Sequence, residues 1–540
     1  MPEYLAPGVY LEEFEIGAKP IEGVSTSTLG IIGETERGPV VPKLVTNFED
    51  YRRAFGGYLP NSYLPNALEG FFANSGKRCY VARVVGKGAK TSSFSVGGGG
   101  GGGGDAPPPK EADGKGKAAA APDKKGGKSL LTMTAIGPGK WGDNIAVKIE
   151  DAGLALEGRN TELFKMTVVY WREKPAKVVD PTIIENEKDP DYRKPARIEI
   201  YDNLSPAVLS ADNYQKRISG VSVLIDIEQV DDGRPANMDF TFLSGGSDGN
   251  KVGLEDYKGN SDAGVGKESG LLGLEQVNDI SLVLAPNEND IDGLTGAVVG
   301  HCENMKDRFA ILQCKVTDKP AGTLIPPQDS KCAAFYYPWI YVMDPLTQRR
   351  KLIPPGGHVA GVYARSDTER GVHKAPANEV LRGALELQFP ISRGKQDVLN
   401  PRGVNCIRVF PGRGIRIWGA RTVSSDPLWK YINVRRLFLF IGESIEAGTQ
   451  WVVFEPSNER LWARVKQTVT QFLTGVWRTG ALMGSSAEEA FFVRCDRSTM
   501  TQDDIDNGRL VCVIGIAPTK PAEFVILRIA QWQGGSAATE

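Results

Sequence analysis

Histidine, the side chain most often recruited as a general base or metal ligand, occurs only three times in 540 residues, as His301, His358 and His373. Their spacing is not that of metal ligands, and the sequence has no Cys-x-x-Cys pair, so no metal centre is expected and each histidine reads as a hydrogen-bonded structural residue. Seven cysteines, an odd number scattered through apolar stretches, read as reduced core residues and exclude a disulfide framework. Charge of one sign is missing too: 64 Lys and Arg stand against 66 Asp and Glu, a net of −2, which provides no global attraction for nucleic acid or anionic lipid. No uninterrupted apolar run reaches the roughly 18 residues of a membrane span. The opening MPEYLAPGVYLEEF lacks the basic start and apolar centre of a secretory signal, so the expected chain folds in the cytoplasm and does not insert into a membrane.

What the chain has is enough apolar material, 41% of its residues, for several cores; its length suits roughly three domains. The composition breaks at an unbroken run of eight glycines, Gly97 to Gly104, followed by Pro107-Pro108-Pro109 and a Lys/Ala/Gly/Asp stretch ending near Lys128. Such a segment cannot bury enough surface to offset an ordering cost of about 1 to 2 kcal/mol per residue, and 97–128 is expected to be a disordered linker joining separated points.

Three short patterns suggest chemistry and fail on context. Gly127-Lys128-Ser129 resembles the end of a P-loop, but Pro122 stands where the first glycine belongs and no buried strand precedes it. Gly137 to Gly142 fits GxGxxG, yet it leads into the alternating strand NIAVKIED instead of a helix. Gly245-Gly246-Ser247-Asp248-Gly249 fits GxSxG after a strand, but the polar, glycine-broken NKVGLEDYKGNSDAG follows where a nucleophile elbow opens a helix. A serine hydrolase using Ser247 and a nucleotide-binding enzyme are therefore the alternatives to a chain with no catalytic, cofactor or metal residues.

The architecture is more legible. From residue 271, LLGLEQVNDI, SLVLAP, LTGAVVGHCENMKDRF, AILQCK and AAFYYPWIYVMDP alternate helix and strand, which predicts an α/β layer with a largely parallel sheet. Between 129 and 243, TVVYWRE, ARIEIYDNL, VSVLIDIEQ and DFTFLS predict an inserted, mainly β module. Two apolar stripes at helical spacing, Val434, Leu437, Phe438, Ile441, Ile445 and Leu461, Val465, Val469, Phe472, Val476, predict two helices on one core. The expected class is α/β and α+β multidomain: an N-terminal arm 1–25, a central α/β domain from 26–96 with 244–395, the linker 97–128, the β module 129–243 and a C-terminal helix-plus-sheet domain 396–540. Near each end lies an unpartnered strand-like segment, GVYLEEFEIG and EFVILRIAQW, whose backbone groups must be satisfied within the subunit or on a neighbour's sheet edge.

Longer motifs then resemble one family. AAFYYPWIYVMDP, PPGGHVAGVYARSDTERGVHKAPAN, LNPRGVNCIRVFPGRGIRIWGARTVSSDPLWKYINVRRLF, GTQWVVFEPSNERLW, CDRSTMTQDDIDNGRL and APTKPAEFVILRI, in order, with YLAPGVYLEEFE and PGKWGDNIAV, are similar to the sheath protein of contractile phage tails and related contractile injection systems. The likeness covers about residues 1–60 and 240–532; 97–240 matches poorly apart from PGKWGDNIAV, as an outward-facing variable insertion would. The resemblance implies a structural subunit, not an enzyme. It would polymerise with itself as stacked hexameric rings around an inner tube protein, meet baseplate and terminal cap proteins and related sheath paralogues, bind no nucleic acid, and contract without a cofactor or nucleotide hydrolysis. Assembly would occur in the cytoplasm, into a virion tail or an intracellular, membrane-docked or released particle. The implied linking strands are Val9, Tyr10, Leu11 and Phe14 at one end and Phe524, Val525, Ile526, Leu527 and Ile529 at the other. Lys430, Arg435, Arg436, Arg464, Lys466 and Arg478 are the candidate tube contacts.

Overall fold

A computed structural model describes residues 20–97, 129–157, 162–260, 266–319 and 324–528. The chain begins with β1 (Leu29–Gly33), β2 (Lys43–Val45), α1 (Phe48–Phe55), α2 (Leu64–Ala73) and β3 (Cys79–Arg83). It leaves into β4 (Ser93–Gly97), β5 (Ser129–Ala135), β6 (Ile145–Asp151), α3 (Gly153–Leu156), β7 (Phe164–Tyr170), β8 (Arg197–Leu204), α4 (Tyr214–Ile218), β9 (Ile225–Gln229) and β10 (Met238–Phe242). It returns through α5 (Leu254–Lys258), α6 (Gly270–Glu275), β11 (Leu282–Leu284), α7 (Leu294–Met305), β12 (Phe309–Gln313), β13 (Ala333–Tyr337), β14 (Ile340–Met343) and β15 (Arg350–Ile353). Next come α8 (Gly356–Arg370), β16 (Glu386–Leu387), α9 (Arg393–Leu399), β17 (Val404–Phe410) and β18 (Gly414–Trp418). The last part holds α10 (Ile432–Gly448), α11 (Glu459–Arg478), α12 (Ala487–Ala490), β19 (Phe491–Arg494), α13 (Gln502–Asp506) and β20 (Val513–Ile516).

Strands with no polar face need cover on both sides, and they receive it. In the eight-stranded sheet β18-β17-β13-β12-β11-β1-β3-β2, every pair from β3 to β17 is parallel and only the edge strands β2 and β18 run antiparallel. Leu29, Ile31, Leu282, Leu284, Phe309 and Ile311 point to a core beneath α1, α2 and α8, while Ile32, Val283, Ala310 and Leu312 point to a second core beneath α6 and α7. Within the first helix layer α8 and α2 pack backbone to backbone where a side chain is absent: a Cβ on Gly357 of α8 would lie 2.1 Å from the Ala67 carbonyl oxygen of α2. The predicted parallel α/β layer is present, but β17 and β18 belong to its sheet, so the domain boundary expected at 395–396 runs through the sheet instead of beside it.

The inserted module is antiparallel throughout, with sheets β10-β6-β7-β8 and β4-β5-β9 sharing one core. In β6, Ile145, Val147 and Ile149 point into that core and Ala146 to a smaller cluster around Trp171. The GxGxxG stretch is a turn and short 3-10 turn entering β6, as its context implied. The glycine-rich segment needs a correction. Gly97 is the last residue of β4 and pairs with Ser129 at the start of β5, so the segment leaves and re-enters at adjacent points and connects a hairpin, not two separated points. Residues 98–128 themselves lie outside the described residues.

α10 and α11 share one core, with Leu437, Ile441, Leu461, Val465, Val469 and Val476 buried in it and Ile445 and Phe472 half-buried at its margin; Val434 and Phe438 of the predicted stripe lie outside it, Phe438 stacking edge-on with Trp429, and Phe440 packs on the core instead. α10 also faces the central domain through Ile432 and Leu439, so it is apolar on two sides. Six of the seven cysteines are buried and Cys512 half-buried, all as free thiols. Among the described residues no helix is long and apolar enough to cross a membrane.

Candidate assembly surfaces

Parallel α/β sheets bind ligands in the crevice beyond the strand ends where the connections reverse direction. Here that point lies between β1 and β11, and the chain itself occupies it. Ser62 Oγ donates to the Glu34 carbonyl (2.8 Å), the Tyr63 amide donates to Asn287 Oδ1 (3.0 Å), and Asn287 Nδ2 donates to the Asn61 carbonyl (3.1 Å). The Ser247 turn is tied to the β-module hairpin: its backbone pairs with Lys90, and its hydroxyl accepts from the Gly249 amide at 3.2 Å. Among the described residues no hydrogen bond joins it to a histidine. His301 lies 3.3 Å from Arg308, His358 is packed against Gly70, and burial lowers both to about 4, so both are neutral near pH 7.

The first and last described stretches both reach α10, the latter through Asn433 Nδ2, which donates to the Thr519 carbonyl at 3.2 Å. Residues 21–26 run antiparallel along α10: Ile21 packs against Gly448, the Val24 amide donates to Ser444 Oγ (3.2 Å), and the Thr26 carbonyl accepts from Arg436 (2.8 Å). Val9, Tyr10, Leu11 and Phe14 lie outside the described residues, but the root from which they extend is fixed here. At the other end, β20 pairs with β19, and the following residues zip onto the body through Met483 N to Ala517 O (2.8 Å) and Thr519 N to Ala481 O (3.0 Å). Glu523 is then held by Arg421. Beyond it, Phe524, Val525, Ile526 and Leu527 are 71 to 80% exposed and form no strand; Ile529 lies outside the described residues. The β19–β20 pair is the only sheet of just two strands among the described residues, and each of its strands keeps a free edge. Phe491 and Val493 cover the α11 side, whereas Phe492 and Val513 are more than 40% exposed.

The six basic positions separate. Arg436 is no surface residue: its guanidinium is buried in a two-point pair with Asp367 of α8 at 2.9 and 2.5 Å, above the Tyr363 ring, and this corrects its assignment as a tube contact. Helix-face reasoning missed this because α10 is covered on two sides. The signal was present: Ile432, Arg436 and Leu439 stand at i, i+4 and i+7, so Arg436 interrupts a second apolar row. Arg435 lies over Trp429 and Lys430 is 3.8 Å from Glu523, whereas Arg464, Lys466 and Arg478 are exposed on α11, Arg464 over Trp451.

The comparisons agree with this geometry. The family model for the phage tail sheath protein central domain matches residues 263–423, and that for the phage tail sheath C-terminal domain matches 424–531. The tail sheath protein of Vibrio phage KVP40 is 23% identical over 361 residues, 59% of this chain and 52% of the relative, so the chain spans about half of that relative's length. The tail sheath protein of Burkholderia phage BcepMu is 29% identical over 177 residues, 31% of this chain and 37% of the relative. The fold is shared with the contracted helical sheath of the anti-feeding prophage (TM-score 0.54, 23% identity, 97% of this chain and 99% of that one). It is shared equally with the contracted sheath complex of the extracellular contractile injection system PVC (TM-score 0.56, 21% identity, 99% of each chain). A chain in the 6-fold symmetrised anti-feeding prophage baseplate matches with TM-score 0.53 at 23% identity, over 98% of this chain and 99% of that one. The two sheath models adjoin at residues 423 and 424 and together match 263–531, the part of the chain that belongs to the phage tail sheath protein family.

Proposed function

We propose that this chain is the subunit of a contractile sleeve, stacked as hexameric rings around an inner tube, which shortens to drive the tube through a target envelope. The observation that carries the reading is the segment after Glu523. Four consecutive large apolar side chains stand in solvent beyond an anchored root, and the same chain carries a two-stranded sheet with free edges. Covering each contributes about 1.5 to 3 kcal/mol before ordering costs, and a neighbour's sheet edge can cover both faces while satisfying the backbone. Such a contact is head-to-tail and does not close, so identical subunits extend it into a filament. Val9 to Phe14, rooted at the far end of α10, would make the second link. The six-fold symmetry of the baseplate that holds a similar chain supports rings of six.

Energy for contraction would be stored in assembly: an extended sleeve held by a kinetic barrier gains about 2.5 kcal/mol for each additional 100 Å² of apolar contact on compaction, and no nucleotide is consumed. The tube must slide free, so its contacts should be polar; Arg464, Lys466 and Arg478 are the exposed candidates. Baseplate and cap proteins would close the two ends of the sleeve. Electron microscopy of the purified full chain with tube protein tests the reading. Sleeves or rings are expected, and deleting Met1 to Gly17 should leave a folded subunit without long sleeves. A chain that stays monomeric at high concentration and turns over nucleotide or ester would overturn the proposal.

A further inference from the structure

Among the described residues, Glu523 is the last of the C-terminal segment held by the body, and the hold is concentrated on one carboxylate. Arg421 donates from both sides of its guanidinium, Nε to Oε1 and Nη2 to Oε2, each at 2.8 Å; Asn400 Nδ2 donates to Oε1 at 2.7 Å and Tyr431 Oη to Oε2 at 3.1 Å. Lys430 Nζ stands 3.8 Å away. The partners are themselves fixed. Arg421 is buried, its Nη1 donates to the Asn400 carbonyl at 3.1 Å, and its backbone is clasped by the fully buried Asn405 of β17, whose Oδ1 accepts from the Arg421 amide (2.8 Å) and whose Nδ2 donates to the Arg421 carbonyl (2.7 Å). Asn405 Nδ2 also reaches the Phe335 carbonyl of β13 at 3.2 Å. A continuous polar chain therefore runs from Glu523 through Arg421 and Asn405 to β17 and β13 of the central sheet. Burial alone would raise the Glu523 carboxyl, but the hydrogen bonds of Arg421 and Asn400 and the Arg421 charge outweigh it and hold it below the usual range.

We propose that Glu523 is a positioning residue for assembly: a clasp that fixes where the strand-forming segment 524–528 leaves the body and carries load from that segment into the central sheet. The inference rests on the reading that this segment adds to a neighbour. Without the clasp, the next anchor back is the backbone zip at 517–519, and the apolar segment swings from a root four residues further from its tip. A strand must meet its acceptor edge in one register, so a loose root costs ordering entropy at every joint of the sleeve. The Arg421 guanidinium matches a carboxylate in a way that a neutral amide cannot repeat, because Gln offers only one acceptor to two N–H groups.

Three variants of the full chain decide the point, each measured by hydrogen exchange of residues 517–528 below the assembly concentration and by sleeve growth. Glu523→Gln should unfold like wild type, exchange at least about tenfold faster through 517–523, and need at least about tenfold more protein to form sleeves, as expected for the loss of charge-assisted hydrogen bonds. Glu523→Asp, which keeps the charge, should recover at least half of both effects, a rescue that a residue acting only by its bulk would not give. Tyr431→Phe, which removes the 3.1 Å bond alone, should move both readouts in the same direction by less, and stands in should the Gln variant fail to fold. A chain ending at Glu523 separates the two ideas: if it still grows sleeves, the shared-strand reading fails. If it does not, while Glu523→Gln grows sleeves and exchanges like wild type, that reading survives and the clasp is refuted.

Discussion

Replacing Arg436 by Met should destabilise the subunit more than any change at the exposed α11 cations. Arg436 and Asp367 have side chains only 3% and 4% exposed, joined by two hydrogen bonds, with Thr26 Oγ1 donating to the same carboxylate at 2.7 Å. The pair ties α8, α10 and the root of the N-terminal segment at one point. Burial alone would lower the guanidinium pKa, but the Asp367 charge and hydrogen bonds outweigh it and raise it. Removing one partner strands the other charge, at a cost of about 3 to 5 kcal/mol, whereas replacing both by groups of similar shape is often close to neutral. Arg436→Met and Asp367→Asn should therefore each lose about 3 to 5 kcal/mol in urea unfolding of the monomer followed by circular dichroism. The double variant should lose less than their sum by several kcal/mol. Singles within about 1 kcal/mol of wild type, or strictly additive losses, would refute the buried-pair account and reopen Arg436 as an exposed contact.

Three other outcomes follow from the same geometry. Because Gly97 pairs with Ser129, deleting 98–128 and inserting a short Asn-Gly turn should leave thermal unfolding and sleeve growth unchanged; loss of the β module's transition would contradict the hairpin reading. Ile526→Pro should leave monomer unfolding unaltered, since Ile526 is 80% exposed, and abolish sleeves; an unfolded C-terminal domain would mean that the segment pairs within its own chain. Burial pushes the Glu288 carboxyl from 4.5 up to about 8, so between these values the folded chain keeps a proton that the unfolded chain has lost. Stability should then decline as pH rises through that window and level off above it. Glu288→Gln, neutral throughout, should show a flatter profile in unfolding at several pH values, and an unchanged slope would place the titration elsewhere.

Much of the fold was legible because its physics is local. SLVLAP and AILQCK are apolar at successive positions, which only a strand covered on both faces tolerates, and β11 and β12 are such strands. The apolar pattern of the tail was legible, but the strand expected over EFVILRIAQW is not formed among the described residues, where Phe524 to Leu527 stand exposed and pair with no sheet edge. Composition described the glycine-rich segment but not where its ends lie; that depends on the Gly97–Ser129 pairing. Arg436 was misread because a stripe at 434, 437 and 441 describes one face of a helix that has two buried faces. The Glu523 clasp gave no signal at all: Arg421 and Asn400 lie about a hundred residues upstream, and only the folded chain brings them together.

Whether the sleeve is woven from terminal segments exchanged between copies is decided by a cryo-EM map of assembled sleeves, traced through residues 517–528. Density should leave the body at Glu523 and run as a strand along the free edge of β19 or β20 in an adjacent subunit. Density that folds back onto its own β19–β20 pair, or ordered sleeves in which 524–528 touches no neighbour, would contradict it.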